Sequence, residues 1–295
     1  MEFRTPVAIE QPSRLLSLAD GVLLVGSCFA QEIGNRLVES GFGAHVNPLG
    51  VMFNPASIAR TLQRIADYVE RGTAFTKADL FVNQDLWRTY DASSLLAAPT
   101  SEEALLKLNN ALRRAADLVC GRQEATWLIL TLGTNRTYCI NNGPVVANCH
   151  KMPQQLFNER SLRVDEICSI LGEIIGDFRR ICPSLKQVVL TVSPYRYAKY
   201  GMHGNTLSKA ALHLAIDSLQ AKMGEIIDYF PAYEIVTDEL RDYRFYAADM
   251  LHPSPVAIDY VWQRFVQTHI DPASLPDMAK AANACKQQQH RPIAL

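Results

Sequence analysis

Short apolar runs separated by longer amphipathic stretches constrain this chain more than any other feature. Residues 22–25, 127–132, 187–192 and 233–236 are apolar runs without strict polar alternation, the pattern of strands buried on both faces of a parallel sheet. Between them the period changes. In "LRVDEICSILGEIIGDFRRI", Leu162, Ile167, Leu171, Ile174 and Phe178 recur every three or four positions, which lines one side of a helix with apolar groups. Leu207, Ala211, Leu214, Leu219 and Met223 repeat the pattern, as do Leu105, Leu108, Leu112 and Ala115. Helices alternating with buried strands predict an α/β fold, a three-layer α/β/α sandwich around a parallel sheet.

Two regions interrupt the alternation and read as insertions above the sheet edge: residues 72–100, rich in aromatics without a period, and residues 136–158, where Asn-Asn-Gly-Pro separates two β-like runs as in a hairpin. No repeat or linker marks a second domain. The expected organisation is one domain over residues 1–278, with a core of about 20–270, followed by a loosely held tail at 279–295.

Composition narrows the function. A chain of 295 residues can bury a core without disulfides or metal. Lys plus Arg at 29 against Asp plus Glu at 30 leaves no electrostatic footprint for nucleic acid or an anionic membrane. The cysteines number seven, an odd and scattered set without C-x-x-C spacing, so a disulfide framework or a metal site is not expected and a reducing, cytoplasmic setting is. Cys149 and His150 are adjacent, but no second ligand pair follows them, and the plain reading is a buried or hairpin thiol.

The stretch "LLVGSCFAQEIG" at residues 23–34 leaves three readings of Cys28: lipidation after a signal peptide, a small residue in a strand-to-helix corner, or a nucleophile at a helix N-terminus. Asp20 and Gly21 cut the apolar segment before Cys28 to four residues, too short for the roughly 7–15 of a signal peptide. No stretch approaches the roughly 18 apolar residues of a membrane span, and a soluble, unprocessed chain is expected.

In an open parallel sheet, ligands bind beyond the carboxyl ends of the strands. Ser27 and Cys28 follow the first run, Gly133, Thr134 and Asn135 the second, and Ser193 to Arg196 the third. Near the end, "ADMLHPSPVAIDYVWQRF" places Asp249 and His252 three apart, ahead of a Ser254 N-cap and Pro255 at the first helical position. A carboxylate that orients an imidazole forms the base half of a nucleophilic triad; an arbitrary D-x-x-H is more often a surface pair. A thiolate at Cys28 would gain from the helix dipole. The N–H groups of Cys28 and Gly50 and the Asn135 amide are candidate oxyanion donors, with a turn-capping role as the alternative for Asn135, as a tight turn is for Gly26. Gly26, Cys28 and Ala30 also imitate a G-x-C-x-G elbow, but the nucleophile's place on the first strand argues against that fold.

With these residues in place, the chain resembles the GSCFA family, whose pentapeptide stands unaltered at Gly26, Ser27, Cys28, Phe29 and Ala30. The likeness runs on through "NPLGVMFNP", "LTLGTN", "VVLTVSPYRY", "NTLSKAAL" and "DMLHPSPVAIDYVWQRF" in order. That family is grouped with the SGNH (GDSL-like) hydrolases, so the resemblance implies a flavodoxin-like sandwich and ester hydrolysis. It places Cys28 where those enzymes carry a serine nucleophile, and a register slip of one would make Ser27 the nucleophile. Gly50 and Asn135 match the second and third blocks, Asp249 and His252 the last. Arg136 departs from the pattern, standing where an aspartate usually follows the asparagine. The resemblance also suggests Arg196, His203 and Lys209 as pocket residues for an anionic or polar part of a substrate; capping by Asn205 and solvation of Lys209 are the plainer readings.

The function expected is therefore an esterase or deacylase that works through an acyl-enzyme on a small-molecule or glycan ester, with no metal or other cofactor. Two readings stand beside it. One is transfer from coenzyme A thioesters to a glycan hydroxyl, and the other is a non-catalytic binding protein on the same scaffold. Oligomeric state is not legible in the sequence.

Overall fold

The computed structural model describes residues 4–141 and 143–289. Its centre is β1 (Gly21–Gly26), buried at every position. It pairs in parallel with β5 (Thr126–Leu132) on one side and with β2 (Gly43–Val46) on the other. Beyond β5 come β9 (Leu185–Val192) and the short edge strand β10 (Ile227–Tyr229). The sheet order β2-β1-β5-β9-β10 is 2-1-3-4-5 in chain order, that of flavodoxin-like doubly wound sheets.

Because the strands are buried on both faces, each face must be covered. One apolar cluster joins Leu23, Leu130 and Leu190 of the sheet to α2 (Pro55–Arg71), α3 (Ser101–Val119), α4 (Val164–Ile181) and α5 (Gly201–Met223). The other joins Leu24, Trp127 and Val189 to α1 (Cys28–Glu39) and α7 (Pro255–His269). The result is a three-layer α/β/α arrangement.

One expectation is corrected. Residues 233–236 are not a strand: they lie in α6 (Ala232–Glu234) and the π-helical segment Ile235–Leu240, where Ile235 and Val236 pack beside Val261 and Phe265. The outer strands escape sequence reading for physical reasons. β2 is half exposed and carries no apolar run. In β10, Asp228 breaks the run because its carboxylate meets the fully buried His269 of α7 at 2.8 Å. Residues 275–289 form α8 (Leu275–Gln289), with Met278 seated in the second cluster; residues 290–295 lie outside the described residues. No helix among the described residues is long and apolar enough to cross a membrane.

The interruptions fold into two small sheets. In 72–100, β3 (Phe81–Asn83) and β4 (Leu86–Arg88) form a hairpin whose turn residues Gln84 and Asp85 both have positive φ. In 136–158, β6 (Arg136–Ile140) pairs with both β7 (Val145–Val146) and β8 (Phe157–Ser161); Asn142 of the β6–β7 turn lies outside the described residues. The two insertions lock together. Tyr90 stacks on Phe81 at 4.2 Å between centroids, and its carbonyl accepts the Ala147 N–H at 2.8 Å. The His150 ring bonds the Thr89 carbonyl and the Ser94 hydroxyl, so its nitrogens are spent on holding the insertions together.

Candidate active site

Order 2-1-3-4-5 reverses the direction of winding between β1 and β5, and helices leave in opposite directions on either side of that gap. A cavity of about 320 Å³ opens there. Cys28 reaches it from β1, Gly133 and Thr134 from β5, Ser193 and Tyr195 from β9, and His252 from the loop before α7.

The end of β1 depends on Gly26. A Cβ there would stand 2.4 Å from the Thr131 carbonyl oxygen, so only glycine lets the two strands converge. Its N–H donates to Asn47 Oδ1 at 2.9 Å, and its carbonyl accepts the Met52 N–H at 2.8 Å. These bonds pin loop 47–54 beside the cavity. Ser27 then caps α1, its hydroxyl accepting the Phe29 N–H at 3.3 Å, and only 3% of the residue is exposed. Cys28, the first helical residue, is exposed. Both line the cavity, but the serine oxygen is engaged in capping while the thiol is presented.

The helix end does less for that thiol than expected. Burial pushes the Cys28 pKa above its ordinary value; a hydrogen bond from its own backbone N–H pulls it down, and Glu32 pushes it up. The resting group is a thiol that needs a base. Alkylation of Cys28 by iodoacetamide, followed by mass spectrometry of its peptide, should be slow at pH 7 and still rising above pH ~8.5, where an unperturbed thiol is half ionised. A plateau below pH 7 would mean a preformed thiolate.

His252 is held by Asp249. Asp249 Oδ1 accepts the N–H groups of Leu251 at 2.9 Å and His252 at 3.0 Å, while Oδ2 meets His252 Nδ1 at 2.5 Å. The N–H of His252 first, then its ring and the Leu251 N–H, hold the Asp249 carboxyl at about 2, so it is ionised throughout the working range. With Nδ1 committed to a carboxylate, Nε2 is the nitrogen left for proton transfer. Ser254 caps α7, accepting the Ala257 N–H at 3.3 Å, as the sequence predicts. Tyr195 lies 4.2 Å from the imidazole, ring centre to ring centre, and limits its rotation. Burial raises the Tyr195 hydroxyl first, then the charges of Asp249, Tyr197 and Cys28.

The remaining sequence candidates do not line the cavity. The Gly50 N–H donates to the Asn47 carbonyl at 2.7 Å, and at φ +93° the residue turns the loop against Ser93; it is not placed as an oxyanion donor. Asn135 is 7% exposed, and its amide donates to the Leu162 carbonyl at 2.8 Å, a clip between the sheet and the added sheet. Arg196 bonds the Leu251 carbonyl through its backbone, and His203 is exposed on the first turn of α5. Lys209 is neither solvated nor a cavity residue: 2% exposed, it donates to the carbonyls of Gly133 at 2.7 Å and Ser193 at 2.6 Å. Burial first, then Arg196, brings its pKa down to about 7. Asn205 sits inside α5 and accepts the Tyr197 N–H at 2.9 Å rather than capping the helix. This face of α5 is polar because it satisfies strand-end backbone, not because it meets water.

Asn54 is the residue that sequence reading passes over. It lines the cavity, accepts the Ser57 N–H at 2.9 Å as N-cap of α2, and precedes a proline at the first helical position. That Asn-Pro signature was available in "NPLGVMFNP". Phe53, Tyr138, Val146 and Tyr197 add apolar and aromatic wall.

The protein-family model described as "GSCFA family" matches residues 21–265. Comparison with curated protein sequences gives no match. Among solved structures the chain is similar to the PilB minor pilin from Streptococcus sanguinis, with a TM-score of 0.30 and 9% identity, covering 93% of this chain and 63% of that one. The chain thus spans less than two thirds of the pilin's length, and likeness at that level says nothing about fold or site.

Proposed function

This chain belongs to the GSCFA family, matched from β1 to the last turns of α7, and on that footing we propose that it is an acyl-ester hydrolase working through a Cys28 thioester. The observation that carries the reading is a thiol on the first residue of α1 facing the same cavity as an imidazole whose Nδ1 is bound to a carboxylate. Strand order 2-1-3-4-5, and an Asp/His pair just before the last helix of the sheet layer, support placing the scaffold with the SGNH hydrolases.

His252 Nε2 takes the proton of Cys28 as sulfur bonds to the ester carbonyl carbon. The oxyanion that forms lies by the Cys28 N–H, which as the first helical N–H has no acceptor within the helix. Collapse breaks the carbon–oxygen bond, and His252 returns the proton to the leaving alkoxide. Water, deprotonated by His252, then attacks the thioester carbonyl carbon, the carbon–sulfur bond breaks to release the acid, and His252 returns the proton to the Cys28 sulfur.

The mostly apolar wall of Tyr138, Val146 and Ala147, which shares the cavity with the thiol, favours a second reading, transfer from a thioester donor such as coenzyme A to a sugar hydroxyl. Intact-mass measurement after incubation with activated esters and acyl-CoA donors tests both. An acyl adduct lost in Cys28→Ala and kept in Ser27→Ala is expected. Loss in Ser27→Ala alone would move the nucleophile by one residue, and no adduct from any donor would remove support for either reading. Release to water or to an added glycan separates hydrolase from transferase.

A further inference from the structure

Among the described residues, Arg136 is the one lysine or arginine that lines the cavity. Lys199 meets Glu159 at 3.2 Å and the Tyr138 hydroxyl at 2.6 Å. His252 has Asp249. Burial raises the Cys28 and Cys149 thiols and the Tyr138 and Tyr195 phenols, all of which are neutral near pH 7. Arg136 lines the cavity, and among the described residues no carboxylate lies within ion-pairing distance of it.

That cation is placed rather than loose. Its N–H donates to Thr134 Oγ1 at 3.1 Å, β6 fixes it opposite Ser161 of β8, and its guanidinium lies over the Tyr200 ring, 4.3 Å from the centroid. A guanidinium that stacks through its face keeps its edge donors for a bidentate oxyanion. Apolar wall from Val146 and Ala147 shares the cavity with it, which strengthens a charged hydrogen bond by excluding water.

From this geometry we infer that Arg136 is a specificity residue that binds an anionic group, a carboxylate or phosphate, on the molecule that enters the cavity. If Cys28 is the nucleophile, that group is part of the acyl substrate and sits on the insertion side while the ester faces the sheet edge. The inference deepens the acyl-ester reading, but its binding half stands without it.

The test therefore uses binding, not turnover. The rate at which iodoacetamide alkylates Cys28 is followed with rising hexanoate, butyl phosphate or hexanol in the parent, Arg136→Gln and Arg136→Lys proteins. At least one anion should protect at a concentration about 10-fold or more below that of hexanol, with the better of the two naming the group. Arg136→Gln should weaken anion protection about 10- to 100-fold, as loss of a charged hydrogen bond implies, and leave hexanol nearly unchanged. Arg136→Lys should keep part of it. Equal protection by anion and alcohol in the parent, a result that needs no variant to fold, overturns the inference, as does undiminished anion protection in a folded Arg136→Gln protein. Anion protection without any acyl adduct would leave the site standing and remove the esterase.

Discussion

His252→Ala is expected to slow acylation of Cys28 by about 10²- to 10⁴-fold without loss of fold. Both halves follow from position. The imidazole sits on a loop with 46% of its side chain exposed, so little packing is lost. The thiol it serves is raised by burial, so without a base almost none is ionised at neutral pH. Asp249→Asn should cost about as much, up to about 10⁴-fold, because its amide oxygen still accepts the N–H groups of Leu251 and His252 but its NH₂ faces Nδ1 and fixes the ring proton on Nε2, the tautomer that is no base. Raising the pH should return part of the His252→Ala deficit, since a thiolate formed by hydroxide needs no imidazole. Rapid-mixing acylation by an activated ester across pH measures all three. An unchanged His252→Ala rate, or a deficit that does not narrow as pH rises, would mean His252 is not the base.

Asp91→Ala should destabilise the protein by about 3 kcal/mol, the lower part of the range for losing one partner of a buried ion pair. Asp91 is 3% exposed and lies in the first insertion. It receives Arg60, with one bond at 3.0 Å, and Arg64 at 2.7 Å from neighbouring turns of α2. Arg64 also binds Asp79 at 2.6 Å. Removing the carboxylate strands the Arg60 guanidinium and frees the insertion from α2. That insertion carries Thr89 and Tyr90, which hold His150 and Ala147 of the second insertion, and Ala147 lines the cavity. Loosening should therefore reach the wall of the cavity. Urea denaturation gives the energy, and hydrogen exchange over residues 86–98 gives the place. A loss below about 1 kcal/mol would mark these ion pairs as ordinary surface contacts.

The layers and the pairing of Asp249 with His252 were legible because they depend on local pattern. Buried runs at 22–25, 127–132 and 187–192 have no stable place except the middle of a covered sheet, and Ser254-Pro255 announces its helix. The edge strands were not legible. β10 draws its partners from β9 and from His269, 41 residues away from Asp228 in the chain, and residues 233–236 took the apolar pattern of a strand while packing as a helix.

The roles of individual polar residues divide along the same line. Pattern placed Ser27 and Cys28 after β1 and an Asp/His pair before α7, since each is a short motif at an element boundary. Ser27 and Cys28 could be separated only by the turn of α1, which gives the hydroxyl to a backbone N–H and leaves the thiol to the cavity. Gly50, Asn135 and Lys209 look like site residues in one dimension. In three dimensions their donors are used by the carbonyls of Asn47, Leu162, Gly133 and Ser193. Whether a donor or a charge remains available to a ligand depends on which distant groups reach it first. A sequence carries residue types and their spacing, but hydrogen bonds are satisfied across the fold, and it is that competition that leaves Cys28, His252 and Arg136 facing the cavity.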